Sequence, residues 1–288
     1  MAETINEILQ KGRRILGQEG IDNPILDARL LLQFVLQATP EDIISHAHRE
    51  LLPAESVLFD HLLEKHIEGL PISKITGHKE FYGREFKVNE HVLDPRPDTE
   101  TLIEAVLDFI KHEHPQKTDW SILDLGTGSG CILVTLLKEL PQASGVGVDI
   151  SPTALKMAND NALKHHVESR ARFVLGNFND KMAGSFDLVV SNPPYIPHAE
   201  IQNLQKEVKN HDPILALDGG DDGLNPYKNI FPQLHTLIHP QGMSFFEIGW
   251  NQRADIERIA NNSRVVVSKV FQDLAGHDRI VAISTGKK

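Results

Sequence analysis

Cysteine is nearly absent: Cys131 is the only one in 288 residues, which excludes an internal disulfide framework and any zinc site built on cysteine clusters. No stretch approaches the roughly 20 consecutive apolar residues of a membrane-spanning helix. The opening residues Met1-Ala2-Glu3-Thr4-Ile5-Asn6 carry neither the basic nor the apolar region of a secretory signal. A cytoplasmic protein without membrane partners is therefore expected. Positive charge is short as well, with 29 Lys and Arg against 40 Asp and Glu and a net charge of −11. Nonspecific binding to nucleic acid depends on cationic side chains neutralising phosphates, so no direct nucleic-acid partner is expected. Hydrophobic residues make up 40%, an ordinary share for one large or two modest globular domains.

Histidine is plentiful, but neither His46-x-His48, His112-x-His114 nor His165-His166 belongs to a set with the full ligand spacing of a zinc motif. The acidic, glycine-rich segment from Asp218 to Asp222 lacks the alternating ligands and closing Glu of a calcium loop. No metal is expected. A G-x-S-x-G elbow for acyl transfer is absent too. Cys131 opens a helical segment and reads as a small packing residue.

Residues 1–75 read as a small helical bundle. Ile5, Ile8, Leu9, Ile15 and Leu16 recur near helical spacing, as do Ile25, Leu26, Leu30 and Phe34, and then Leu58, Phe59, Leu62, Leu63, Ile67 and Leu70. Residues 76–97 hold short Phe-, Tyr- and Val-bearing segments around Gly83, which predicts a β-hairpin linker. From residue 98 to 288 strands and helices alternate, predicting an α/β domain with a largely parallel sheet covered on both faces. Its strand candidates are Ser121 to Leu125, Gly145 to Val148, Arg172 to Leu175, Phe186 to Val190, Met243 to Ile248, Val265 to Val270 and Arg279 to Ser284. The last two are close enough in sequence to form an antiparallel edge hairpin.

Chemistry concentrates where the strand Phe186 to Val190 runs into Asn192-Pro193-Pro194-Tyr195. The two prolines have no N–H and a fixed φ, so the loop is stiff and its carbonyls are held in place. The Asn192 amide oxygen and a backbone carbonyl can accept both hydrogens of a planar NH2 group while the tyrosine ring covers the adjoining π system. Asn-Pro and Pro-Pro are also ordinary turn punctuation. A second feature lies upstream, where Ser121 to Leu125 enters Gly126-Thr127-Gly128-Ser129-Gly130 and a helix follows. Strand, glycine loop and helix bring free backbone N–H groups toward a ligand's polar end. Cys131 stands at the third-glycine position of a dinucleotide fingerprint, and no Gly-Lys-Ser/Thr of a P-loop follows. The next strand ends in Asp149, where a carboxylate can take both hydroxyls of a ribose. In this order the features point to S-adenosylmethionine.

Besides Asp124 to Gly130 and Asn192 to Ile196, six further segments carry a resemblance: Gly77 to Gly83, Pro95 to Glu100, Leu215 to Gly220, Asp222-Gly223-Leu224, Glu247-Ile248-Gly249 and Asp273 to Arg279. Over nearly its whole length the chain resembles the peptide chain release factor N5-glutamine methyltransferase family (PrmC/HemK). The resemblance implies a seven-stranded class I S-adenosylmethionine-dependent methyltransferase fold behind a helical substrate-docking domain. The substrate it implies is the glutamine of the Gly-Gly-Gln loop of class-1 release factors, with S-adenosylhomocysteine as the other product. It assigns catalysis to Asn192, Pro193 and Tyr195, and substrate binding to Asn192, Pro193, Pro194 and Tyr195. It assigns cofactor binding to Gly126, Thr127, Gly128, Ser129, Gly130, Asp149, Asn177, Phe178 and Asn192. Three positions depart from the family pattern: Asp94 replaces an aliphatic residue, Asn177 an acidic one, and His211-Asp212-Pro213 the usual aromatic-Glu-Pro. The alternatives are a ribosomal-protein glutamine methyltransferase, an adenine-N6 nucleic-acid methyltransferase, and a catalytically idle cofactor-binding module.

Overall fold

The computed structural model describes residues 2–181 and 184–286. Its contacts divide the chain into two units, Met1–Gly77 with Gln205–His211, and His78–Leu204 with Asp212–Lys288.

In the first unit the helices are Ile5–Gln18, Pro24–Leu36, Pro40–Ser45, Pro53–Ile67 and Ile72–Thr76, with Lys206–His211 from later in the chain. Thr4 and Thr39 start two of them as N-caps, each accepting a backbone N–H while Glu7 and Asp42 reach back to the cap. These reciprocal bonds satisfy donors the helix itself leaves open. Proline occupies the first turn at Pro24, Pro40 and Pro53, where its missing N–H costs nothing. The apolar stripes meet on Ile8, Leu16, Leu31, Leu32 and Phe59, all fully buried. Gly12 is needed for that approach, since a Cβ there would lie 2.8 Å from Phe59 Cζ. Ile44 and Val57 instead face solvent, 75% and 70% exposed.

The second unit opens with the hairpin β1 (His78–Phe81) and β2 (Arg84–Lys87). Its turn puts Tyr82 and Gly83 at φ 52° and 68°, the left-handed pair that matches strand twist in a two-residue loop. Seven strands follow: β3 (Ser121–Leu125), β4 (Ser144–Asp149), β5 (Ala171–Leu175), β6 (Phe186–Ser191), β7 (Ile238–Glu247), β8 (Val266–Gln272) and β9 (Asp278–Ser284). Their order is β5-β4-β3-β6-β7-β9-β8, parallel except that β9 runs antiparallel to both neighbours. One face buries Leu102, Val106, Leu133 and Leu136, the other Tyr227, Phe231, Leu234 and Ile256. The sheet is therefore covered on both sides, as its apolar strands require. Strand order reverses between β3, β4 and β6, and in open α/β sheets the crevice at such a switch point is where ligands bind.

Two differences from the sequence reading have physical causes. β7 begins at Ile238, ahead of the expected Met243, because Ile238 pairs with Phe186 before an irregularity brings Met243 opposite Leu188. Between Tyr195 and β7 the chain forms helices of three to six residues, too short to show a periodic apolar stripe.

Candidate active site

The loop after β3 is shaped by Gly126, Gly128 and Gly130 at φ 73°, 55° and 80°, a region costly for any residue with a Cβ. Each also has its own spatial reason. A Cβ on Gly126 would come within 3.2 Å of Phe178 Cζ, and one on Gly130 within 3.0 Å of Ala158 Cβ. On Gly128 it would meet nothing nearer than the Gly126 carbonyl at 3.9 Å, so that face of the loop is open. Gly126 N and Thr127 N both donate to the Val148 carbonyl at 2.8 and 3.0 Å, which ties the loop to the end of β4.

Asp149 completes this corner. Its Oδ2 accepts the Gly128 N–H and its Oδ1 the Ser151 N–H, each at 2.9 Å. Burial raises its pKa against those two bonds. Behind the loop, Thr127 Oγ1 donates to Asp124 Oδ2 at 2.6 Å, and complete burial pushes Asp124 up to about 7. Thr127 and Ser129 are themselves buried.

A cavity of about 560 Å³ opens in front. Of the predicted residues it brings together Gly126, Gly128, Asp149, Asn177, Phe178, Asn192 and Pro194. Thr127, Ser129, Gly130, Pro193 and Tyr195 are not on its wall; they lie behind or beside the residues that are. The opposite wall comes from Glu90 to Leu93 and Pro213 to Ala216. Asn177 accepts the Asn179 N–H at 3.3 Å through its side-chain oxygen, which leaves that oxygen a second lone pair.

Asn192 is held from behind. Its Nδ2 donates to Thr99 Oγ1 at 3.0 Å, and Thr99 Oγ1 donates to Glu247 Oε2 at 2.7 Å. Tyr195 Oη donates to the other oxygen, Oε1, at 3.2 Å, and Tyr227 Oη to the Glu247 carbonyl at 2.7 Å. Burial pushes Glu247 up to about 7. The Tyr195 carbonyl accepts Gln252 Nε2 at 3.0 Å. A Cβ on Gly223 would sit 2.4 Å from that same carbonyl oxygen, so the loop packs onto Gly223. The Asp212 departure is used structurally: its buried carboxylate accepts Arg96 Nη2 at 2.6 Å.

Thr99, Glu247 and Gln252 are the residues the sequence reading missed as parts of this site. Thr99 and Glu247 lie in segments quoted for the family resemblance, without a role. An acid directly after Phe245-Phe246 in an expected buried strand was the signal available for Glu247.

The residues present fit S-adenosylmethionine. A glycine loop with one open face, a strand-end carboxylate with unused lone pairs and an aromatic ring share a cavity of ordinary ligand-site size. Sheet order and site together define a class I S-adenosylmethionine-dependent methyltransferase. Solved structures share the fold: a methyltransferase from Pyrococcus furiosus aligns with TM-score 0.51 at 14% identity, covering 78% of this chain and 97% of that one. A ribosomal protein L11 methylase from Lactobacillus delbrueckii subsp. bulgaricus aligns with TM-score 0.50 at 18% identity, covering 72% and 89%. Residues 7–77 match the PrmC N-terminal domain and residues 104–216 the methyltransferase small domain. The release factor glutamine methyltransferase of Agrobacterium fabrum is 38% identical over 278 residues, 96% of each chain. That of Caulobacter vibrioides is 39% identical over 92% of this chain and 91% of its own. A bifunctional methyltransferase of Rickettsia typhi is 39% identical, and there the match covers 99% of this chain but 58% of the relative. The chain belongs to the release factor glutamine methyltransferase family.

Proposed function

We propose that this protein methylates the side-chain nitrogen, N5, of the glutamine in the Gly-Gly-Gln motif of class-1 peptide chain release factors. The observation that carries the reading is the orientation of Asn192: its NH2 is bound inward by Thr99, which leaves Oδ1 as an acceptor on the cavity wall. Bound S-adenosylmethionine supplies a sulfonium methyl that is already strongly electrophilic. An amide nitrogen is a poor nucleophile, so the task left to the protein is orientation, which in favourable cases supplies about 7–11 kcal/mol.

In this reading Asn192 Oδ1 and the Pro193 carbonyl accept the two hydrogens of the glutamine amide. Pro194 stiffens the loop, and Tyr195, its hydroxyl anchored on Glu247, packs against the amide plane. Asp149 takes the ribose hydroxyls of the cofactor, Asn177 and Phe178 its adenine end, and the loop from Gly126 to Gly130 its amino-acid end. The amide proton leaves to water once the nitrogen has been methylated and become acidic. Residues 1–75 form the docking domain that recognises the body of the release factor, 76–97 a linker, and 98–288 the methyltransferase domain. Such an enzyme acts in the cytoplasm, where its substrate works.

The test is transfer of a radiolabelled methyl group from S-adenosylmethionine to purified release factor, ribosomal protein and DNA in parallel. The expected result is label on the release factor, lost when the glutamine of its Gly-Gly-Gln motif is replaced. Label on ribosomal protein or DNA, with none on the release factor, overturns the proposal.

A further inference from the structure

Thr99 stands 93 residues from Asn192 and 148 from Glu247, yet the three side chains form one buried line ending at the cavity. A threonine hydroxyl has one proton to give and two lone pairs to receive with. Here the proton goes to Glu247 Oε2 at 2.7 Å, so Thr99 faces Asn192 only as an acceptor. An amide presents oxygen on one side and NH2 on the other, and only NH2 can satisfy an acceptor.

We infer that Thr99 and Glu247 are positioning residues for methyl transfer: the Glu247 carboxylate accepts the hydrogen bond of the Thr99 hydroxyl and thereby fixes which way the Asn192 amide is turned. With that choice made, Asn192 Oδ1 stands toward the cavity before any substrate enters. Without it, NH2 could face the cavity and meet the NH2 of the substrate amide, donor against donor. The inference rests on the role proposed above for Asn192.

Burial raises the pKa of Glu247, and its hydrogen-bond and charge partners counter that only in part. Thr99 and Tyr195 place hydroxyl protons on its two oxygens, and the Arg279 guanidinium from β9 draws it toward the charged form. Asp98 opposes ionisation, while holding Arg279 at 3.2 Å together with Asp273 at 3.0 Å. Cys131 and Tyr227 lie within electrostatic reach of the carboxylate, and burial raises the pKa of both, so they stand there as neutral groups. Protonation of Glu247 would cancel the device, because Thr99 could then turn its own proton toward Asn192.

The test compares Thr99→Val, Thr99→Ser, Glu247→Gln and Asn192→Ala on a short Gly-Gly-Gln peptide at saturating methyl donor. Cofactor affinity is measured separately by calorimetry and folding by thermal melting. Valine keeps the shape of threonine without the hydroxyl, and kcat should fall about tenfold or more, the effect of losing one oriented hydrogen bond. Cofactor affinity should stay within about twofold, and Thr99→Ser should restore most of the rate. In the native enzyme kcat should decline as pH falls below about 7, and Glu247→Gln should lose that limb. Near-native kcat in Thr99→Val, failure of serine to rescue, or an unchanged acid limb in Glu247→Gln overturns the inference. Should Thr99→Val fail to fold, the serine variant and the pH comparison decide. Near-native turnover in Asn192→Ala would instead remove the role proposed for Asn192, whereas a slow Asn192→Ala beside a fast Thr99→Val removes only the positioning line.

Discussion

Replacing Asp149 with alanine separates cofactor binding from folding, and its magnitude can be worked from the hydrogen bonds present. A carboxylate offers about four lone-pair sites. Gly128 N–H and Ser151 N–H use two at 2.9 Å and the Ile150 N–H also bears on the group, so part of its accepting capacity stays open for a vicinal diol. Hydrogen bonds to a charged group contribute about 1.5–3 kcal/mol. Losing a net amount of that order should weaken S-adenosylmethionine binding roughly 10- to 150-fold. The cost to folding should be smaller, because burial already disfavours the charged form of this side chain in the free protein, which offsets part of what its two backbone bonds contribute. Calorimetric titration of the variant and the native protein reads the affinity, and a melting curve without ligand reads the fold. An unchanged dissociation constant in a folded variant would refute the assignment of Asp149 to the ribose.

Asn192→Ala should lower turnover about a hundredfold or more with little change in cofactor affinity; near-normal single-turnover methylation would leave Asn192 a turn residue. Asp124 is raised to about 7 by burial, so the folded protein holds a proton that the unfolded chain releases near pH 4. Stability from this group is therefore lost as pH rises from about 4 to about 7. Asp124→Asn should flatten that part of the melting-temperature profile, and identical slopes in both proteins would count against a protonated Asp124. On the helical unit, Val57 is 70% exposed. If this unit docks the release factor, Val57→Glu should raise KM for the intact factor about tenfold and leave kinetics on a short peptide unchanged. An equal effect on both substrates would argue against docking there.

Much of this architecture was legible because its signals are local. Ser121 to Leu125 sets Ile122, Leu123 and Leu125 directly before the glycine loop, and it is β3 to the residue. Gly145 to Val148 and Arg172 to Leu175 each fall one residue short of the strand's start, within the normal scatter of element ends. The closing hairpin was readable from the eight residues between two β-branched segments, Val265 to Val270 and Arg279 to Ser284. The site was legible to the extent that its loops demand particular residues, proline for a fixed φ after Asn192 and glycine for the positive φ of Gly126, Gly128 and Gly130. What stayed hidden depends on distance in sequence. Nothing near Thr99 announces a bond to Glu247, since the partner is 148 residues away and it is the packing of the helix Glu100–Glu113 against β7 that brings the two together. The cavity wall from Pro213 to Ala216 was hidden for another reason. Its three-residue helical turn, Ile214–Ala216, has no periodicity to detect.

The solitary thiol supplies a readout that needs no engineering. Cys131 is 8% exposed in the core beneath the glycine loop, and burial pushes its pKa up to about 12. Alkylating reagents attack thiolates, so the native state should be inert to them and modification should require the helix Cys131–Glu139 to open. With one reactive position per molecule, the mass gained over time becomes a direct clock for that opening. A methyl donor bound only by the closed state should slow the clock by the factor 1 + [L]/Kd, turning the rarest residue in the chain into a gauge of occupancy at the site it lies beneath.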